Sequence, residues 1–311
     1  MPKIWLNASQ FNCKSKIALT IGTFDGVHVG HQKIIRRLIE HKKEGFETAI
    51  LTFDPHPRKV LFPNQTDLRL ITTNQEKIAL LENFGLDHII VHPFDLKFAS
   101  LSSEEYVLGI LKHQLKVNKL IIGYDHRFGK NRTGGINELR EFGIKNDFTV
   151  EEIPAKDIDS IHVSSSLIRK AIEQRNFKVA DQYLGYHFFI QGTVVEGKKL
   201  GRKLGYPTAN LNLENKDKIV PPPGVYAVKI ACKNKTYFGM MNIGTNPTTD
   251  LNNQIKMEVH IFDFSEDIYG ENLKVEFVAY LREEKKFDTL DHLIYQLQQD
   301  ESTAKKVFSQ I

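Results

Sequence analysis

From residue 17 the chain alternates short apolar runs with stretches whose apolar residues recur every three or four positions. Ile17-Ala18-Leu19-Thr20-Ile21-Gly22 has the unbroken apolar character of a buried strand. From about Gly30, the spacing of Ile34, Ile35, Leu38 and Ile39 predicts a helix that Gly45 stops. The same reading gives strands over 48–53, 88–91, 119–123 and 149–153, with helices over 75–84 and 136–145. A further helix runs to about Leu115, with Ser102 or Ser103 as its N-cap and Glu104 and Glu105 in its first turn. Five strands interleaved with helices predict a doubly wound α/β domain on a parallel sheet, whose ligands sit outside the C-terminal ends of the strands. Helices over 164–176 and 177–184 are expected to close this domain. After Phe188 the rhythm changes to β-rich segments over 189–195, 225–231, 236–243, 256–264 and 273–281, with a hairpin turn at Lys233-Asn234-Lys235. Terminal helices over 290–297 and 304–308 follow. The second half therefore reads as an antiparallel β-barrel capped by helices, and the domains as 1–186 and 187–311.

Composition narrows the classes of function. The chain of 311 residues is 41% hydrophobic and 26% charged, ordinary for two globular domains. Its net charge is +4, and the whole excess lies before residue 187. Neither half has the cationic field of a protein that holds long nucleic acids, whereas small anionic substrates fit. No apolar run approaches the ~18 residues of a membrane span, and the first residues lack an apolar signal region. A cytoplasmic protein with no membrane or nucleic-acid partner is expected; the sequence is silent on oligomeric state. Cys13 and Cys232 belong to no CxxC pair, which removes disulfide frameworks and thiolate zinc sites.

The densest chemistry is Gly22-Thr23-Phe24-Asp25-Gly26-Val27-His28-Val29-Gly30-His31, between the first strand and first helix. Glycines there let backbone approach a phosphate chain, and a helix start offers unpaired N–H groups to anions. His28 and His31, with Gly30 between, can face one polyphosphate. A His-x-x-His metal pair and two solvated loop histidines are the competing readings; the metal pair lacks a third ligand, and the strand–loop–helix setting favours phosphate chemistry. Ser164, Ser165 and Ser166 open a late helix, where Arg169 offers a fork to phosphate oxygens; plain N-capping explains the serines equally well. Asp125 and Arg127 lie in a loop with Gly134-Gly135 and read either as ligand contacts or as a surface turn.

The HxGH string resembles the nucleotidylyltransferase superfamily. The longer Gly-x-Phe-Asp-Gly-Val-His-x-Gly-His-Gln is similar to the adenylyltransferase half of prokaryotic bifunctional riboflavin kinase/FAD synthetases. Thr52-Phe53-Asp54-Pro55-His56-Pro57, Gly123-Tyr124-Asp125-His126-Arg127-Phe128-Gly129 and Ser164–Arg169 match in order. The resemblance implies that Gly22, Phe24, Gly30, Asp125, Arg127 and the three serines bind ATP, with His28, His31 and Arg169 catalytic. His126 stands where that family usually has an aromatic residue, and Ser166 where it often has threonine.

In the second half, Gly192, Gly197, Gly201 and Gly205 punctuate a stretch that ends Gly205-Tyr206-Pro207-Thr208-Ala209-Asn210. There is no Walker A loop and no kinase-type GxGxxG. Read alone, this is a Gly-rich hairpin with a Pro turn, whose Thr208 and Asn210 could serve Mg²⁺ as neutral oxygen ligands. Gly-Tyr-Pro-Thr-Ala-Asn is also the signature of the riboflavin kinase domain, and further segments match it in order: Pro223-Gly224-Val225-Tyr226, Asn242 to Thr248 (with Asn246 where the family more often has Arg), Glu258-Val259-His260, Asp267–Gly270 and Arg282. Alternation puts Glu258 on the solvent face of a strand. The resemblance alone makes Glu258 the general base. It likewise makes Gly192, Gly197, Gly201, Gly205, Pro207, Thr208, Asn210, Gly224, Tyr226, Asn242 and Arg282 ATP or flavin contacts, with Mg²⁺ at Thr208 and Asn210. The expected activities are phosphorylation of riboflavin to FMN and adenylylation of FMN to FAD, both from ATP. A nucleotidylyltransferase of other specificity and a flavin-binding regulatory module are the rivals.

Overall fold

The computed structural model describes residues 1–64, 68–124, 126–154, 163–197, 201, 204–245 and 255–310. It divides into two compact units, Met1–Ser165 and Ser166–Ile311.

The first unit is built on a six-stranded sheet of order β1-β4-β3-β2-β5-β6, with every pairing parallel. The strands are β1 (Lys3–Trp5), β2 (Ile17–Ile21), β3 (Glu47–Asp54), β4 (His88–Pro93), β5 (Val117–Gly123) and β6 (Thr149–Ile153). All five residues of β2 are buried, as the central strand of a sheet covered on both faces must be. Helix Val29–Glu40 leaves β2 and continues as a 3₁₀ turn to Glu44, where Gly45 (φ +85°) ends it in the left-handed conformation. Ser102 is the N-cap before Ser103–Glu105, in a full capping box with Glu105, and the chain then widens into a π-helix over Tyr106–Gln114. From β2 the chain builds outward through β3 and β4 on one side, then through β5 and β6 on the other. The topological switch point therefore falls between β2 and β5, with the histidine loop leaving one strand and the loop of Arg127 the other.

The second unit holds a closed antiparallel barrel of order β10-β11-β8-β7-β12-β9. Its strands are β7 (Phe189–Val195), β8 (Ala209–Asn212), β9 (Gly224–Cys232), β10 (Lys235–Thr245), β11 (Ile255–Ile261) and β12 (Asn272–Arg282). The hairpin turn expected at Lys233-Asn234-Lys235 is a two-residue loop, with Lys233 (φ +48°) and Asn234 (φ +62°) in the left-handed pair that a type I′ turn needs. A single helix, Leu290–Phe308, replaces the two short ones expected. Its apolar face covers Ala227, Met240 and Phe262, and Ala304 is fully buried there. The guanidinium of Arg282 grips the carboxylate of Asp300 through Nε (2.8 Å) and Nη2 (2.6 Å), and Gln296 donates to the same carboxylate at 2.9 Å.

The helix pair over 166–184 falls in the second compact unit. Phe177 explains it: its ring stacks on Phe277 at 5.2 Å and meets Tyr226 edge-on at 5.7 Å. Arg175 donates to the Pro223 carbonyl at 3.0 Å and lies over the Tyr280 ring. The helices over 166–184 thus pack with the barrel. Among the described residues, no helix is long and apolar enough to cross a membrane.

The Arg282–Asp300 pair yields a prediction. The two side chains are only 16% and 4% exposed, so Asp300→Ala leaves a desolvated guanidinium uncompensated and should cost about 3 kcal/mol. Replacing both partners, as in Arg282→Met with Asp300→Leu, should cost clearly less. Urea unfolding of the full chain, followed by circular dichroism, reads both.

Candidate active sites

At the first site, the loop after β2 is held from its middle. Asp25 is buried, and its Oδ1 accepts the backbone N–H groups of Ile71 (2.9 Å) and Thr72 (3.0 Å). The Thr72 hydroxyl accepts from the Gly26 backbone at 3.0 Å, and the Ser165 hydroxyl donates to the Asp25 carbonyl at 3.0 Å. Gly26 (φ +82°) packs where a Cβ would meet Ile71 at 3.0 Å. Phe24 (φ +50°) and Val27 (φ +36°) also hold left-handed conformations that L side chains disfavour, each at a cost of order 1–3 kcal/mol. Strain of this kind persists where the surroundings dictate one loop shape.

That shape delivers the two histidines. His28 is the N-cap of helix Val29–Glu40, and its ring stacks on that of His31 at 3.6 Å between centroids. Phe24 closes on His31 edge-on at 5.1 Å. Gly30 makes the stack possible, because a Cβ there would sit 3.2 Å from the His28 ring. Burial pushes the proton affinity of His28 down to about 4, against the pull of Asp25. His31 is held well below the usual histidine range by burial, then by His28 and by the Lys77 ammonium. Both rings are therefore neutral at pH 7. Nδ1 of His31 is buried and has no hydrogen-bond partner among the described residues. An orphaned buried nitrogen is costly, and it points to a ligand.

The other expected residues of this half are placed unevenly. Gly22 abuts the Phe24 ring. Arg127 is exposed, with its Nη1 lying 2.7 Å from where a Cβ on Gly135 would stand. His126 stacks on Phe128 at 6.3 Å. Ser165 is committed to Asp25, whereas Ser164 and Ser166 are exposed. Arg169 is half-buried one turn along the same helix, on the far side of the division between units. Asp125 lies outside the described residues. Sequence reading missed Lys77, which is buried and donates to Thr52 Oγ1 at 2.9 Å; a lysine within a helix reads as solvent-facing.

The second site lies across three strands of the barrel. In register, Glu258 on β11 stands between Asn242 on β10 and Asn210 on β8. Directly paired residues of antiparallel strands share a face, so the carboxylate and two amides form one row. Glu258 is half-buried, between Met257 and Val259 that point inward. Gly197 is required by this row, because its Cβ would overlap the Asn210 amide. Gly192 permits the close approach of Asn212, and Gly201 that of the Tyr206 carbonyl. Gly205 (φ +80°) turns the chain into Pro207. The Pro207 carbonyl accepts from His260 Nδ1 at 2.8 Å, and the Tyr206 hydroxyl donates to Glu301 at 3.0 Å, which ties the exposed Thr208 to both β11 and the terminal helix.

Three expected ligand contacts have other work in the fold. Tyr226 is completely buried among Phe177, Phe277 and Tyr280, with its hydroxyl donated to the Pro222 carbonyl. Gly224 makes room for the Tyr280 ring. Arg282 is committed to Asp300 and to the Glu283 carbonyl. Arg202, Lys203 and Asn246 lie outside the described residues.

Among the described residues, one group brings metal-ligand types together: Cys13, Glu47 and His88. Trp5 donates to His88 Nδ1 at 3.3 Å, so Nε2 carries the ring hydrogen and donates to Glu47 at 2.7 Å. Ser15 (2.6 Å) and Cys13 (3.2 Å) donate to the same carboxylate, and with His88 they pull its proton affinity down to about 2. An imidazole so committed offers no lone pair to a cation, and the group instead fastens residues 5–15 to the sheet.

A nucleotide-binding α/β unit with paired histidines at its switch point, followed by a barrel carrying the Gly-Tyr-Pro-Thr segment, defines a two-site transferase of flavin metabolism. Residues 10–167 match the family model for FAD synthetase, and residues 184–308 that for riboflavin kinase. The chain belongs to the bifunctional riboflavin kinase/FMN adenylyltransferase family. Its relatives of that name include proteins from Listeria monocytogenes (35% identity; 94% of this chain, 93% of the relative) and Buchnera aphidicola of Schizaphis graminum (38%; 98% and 97%). A solved structure named a macrolide-efflux protein from Streptococcus pneumoniae is 31% identical over 98% of both chains, with a TM-score of 0.87. That likeness shows a shared fold over the whole length; the efflux name belongs to that protein.

The buried neutral histidines make stability depend on pH. The unfolded chain takes up a proton on His28 near pH 6.5, the folded one only near pH 4, so acid favours unfolding between these values. The thermal midpoint of the first unit should fall as pH is lowered from 6.5 to 4. His28→Asn should flatten part of that slope in scanning calorimetry.

Proposed function

We propose that residues 1–186 join FMN and ATP into FAD, and that residues 187–311 phosphorylate riboflavin from ATP. The observation that carries the first assignment is the stacked His28–His31 pair at a helix start, with a buried ring nitrogen left for a ligand. In adenylyl transfer a phosphate oxygen of FMN attacks the α-phosphorus of ATP, and the bond to the bridging oxygen breaks as pyrophosphate leaves. The nucleophile is already ionised, so the site must align reactants and stabilise charge rather than remove a proton. His28, His31 and Arg169 take that role, with the N–H groups of helix Val29–Glu40 adding to it. Gly22, Phe24, Gly30, Arg127, Asp125 and the serines 164 to 166 contact the nucleotide in this reading.

The kinase step begins from a neutral alcohol and needs a base. Glu258 takes the proton of the terminal ribityl hydroxyl as its oxygen attacks the γ-phosphorus and ADP departs. The amides of Asn242 and Asn210, on the same face, orient that carboxylate and the reactants. Thr208 and Asn210 offer neutral oxygens beside a carboxylate, a hard donor set that fits Mg²⁺, and they would hold it with ATP. Bound there, the ion neutralises phosphate charge. Gly192, Gly197, Gly201 and Gly205 keep the backbone open to the phosphates. We assign the protein to the cytoplasm, where these substrates occur.

The two sites should fail independently. Glu258→Ala is expected to lose FMN formation from riboflavin by at least about a hundredfold while still converting supplied FMN to FAD. His28→Ala should stop at FMN. Chromatography of flavins over time, with ATP and Mg²⁺ supplied, reads both, and EDTA should halt both reactions. Loss of both reactions from either single change in a folded protein would refute independent sites; flavin binding without turnover in the wild type would favour a regulatory module.

A further inference from the structure

Lys77 lies on helix Asn74–Glu82, whose start is fixed by a capping box between Thr73 and Glu76. Its side chain is buried, with 6% of the residue exposed. The ammonium has three donors and three acceptors: Thr52 Oγ1 at 2.9 Å, the Phe53 carbonyl at 3.2 Å and the Thr23 carbonyl at 3.4 Å. The Thr52 hydroxyl in turn donates to the Thr23 carbonyl at 3.1 Å. Thr23 belongs to the histidine loop after β2, while Thr52 and Phe53 are the last residues of β3 before Asp54. One cation therefore staples the two departing chains at the C-terminal ends of neighbouring strands. All three acceptors are uncharged. Asp25 and Asp54 act on the ammonium only through space, and burial pulls its proton affinity down to about 8. A buried charge without a paired carboxylate is expensive, and a core built for stability alone would use a methionine or leucine there.

We propose that Lys77 is a positioning residue for adenylyl transfer: its ammonium locks the loop after β2 to the end of β3 and so fixes the ring of His31. This rests on the assignment of the histidine loop to that reaction. The second effect of Lys77 is electrostatic. The charged and titratable groups around His31 are His28, stacked on it, and Lys77, with Asp25 and Asp54 beyond the ammonium. The cation opposes a proton on His31, so the imidazole stays neutral until an anionic ligand arrives.

Two variants separate position from charge. Lys77→Met removes both the staple and the cation at nearly constant volume. Thr52→Val removes the central acceptor and leaves the cation. Both should lower kcat for FMN adenylylation by about tenfold or more, with a smaller change in KM, because loosened alignment acts on the reacting complex. Riboflavin phosphorylation, measured in the same full-length protein, should not change. In a titration of the histidine resonances by NMR, His31 should take up its proton at a higher pH in Lys77→Met than in the wild type, and at the wild-type pH in Thr52→Val. Unchanged adenylylation in a folded Lys77→Met protein overturns the proposal. If that variant does not fold, unchanged kcat in Thr52→Val overturns it instead. Adenylylation that survives His28→Ala refutes the site assignment itself, a result distinct from either.

Discussion

The carboxylate of Asp25, out of water and receiving the backbone of Ile71 and Thr72, is the constraint on which the first site rests. A charge in that position is tolerable only when its oxygens are satisfied, so the segment at 71–72 and the loop after β2 must adopt their shapes together. The left-handed Phe24, Gly26 and Val27 follow from that agreement, and so does the entry of the chain into helix Val29–Glu40. A loop free to choose its own conformation would leave the histidines apart, in water and able to take up protons. Held as it is, it stacks them dry.

The barrel solves a different problem. Glu258 stands on a strand face, where alternation alone sends a glutamate, and register gives that glutamate its neighbours. Asn210, Glu258 and Asn242 are distant in sequence and adjacent only because β8, β11 and β10 pair at one offset. A slip of one residue in β11 would turn Glu258 inward and Val259 out. The closed barrel and the terminal helix, clamped through Arg282 and Tyr206, protect that register.

Most of the architecture was legible because its signals are periodic. The alternation of runs and helical patterns gave five of the six strands of the first sheet, and the hairpin at Lys233-Asn234 announced itself by its turn residues. β1 escaped because three residues carry no period, and β8 because its four residues follow directly on a glycine- and proline-rich motif. Leu290–Phe308 reads as two helices since Asp300, Glu301 and Ser302 interrupt the apolar pattern; Asp300 is in fact the buried anchor for Arg282. Motif resemblance singles out His28, His31 and Glu258, but it carries no information on which of the matched residues are packed into the fold. Tyr226 is fully buried among aromatic rings, and Arg282 is bonded to Asp300. Lys77 had no signal at all, because only the packing of its helix against the ends of β2 and β3 turns a surface residue type inward.

The closure of the barrel has a consequence for how the protein behaves in a crowded solution. Among the described residues, the six barrel strands close on one another, so none of them stands at the end of an open sheet where another chain's strand could most readily add. Among the described residues, the first sheet has two borders. One is β1, three residues long, and the other is β6, where Glu151 and Glu152 bind Arg37 and Arg140. A short border and a charged one both resist edge-to-edge association.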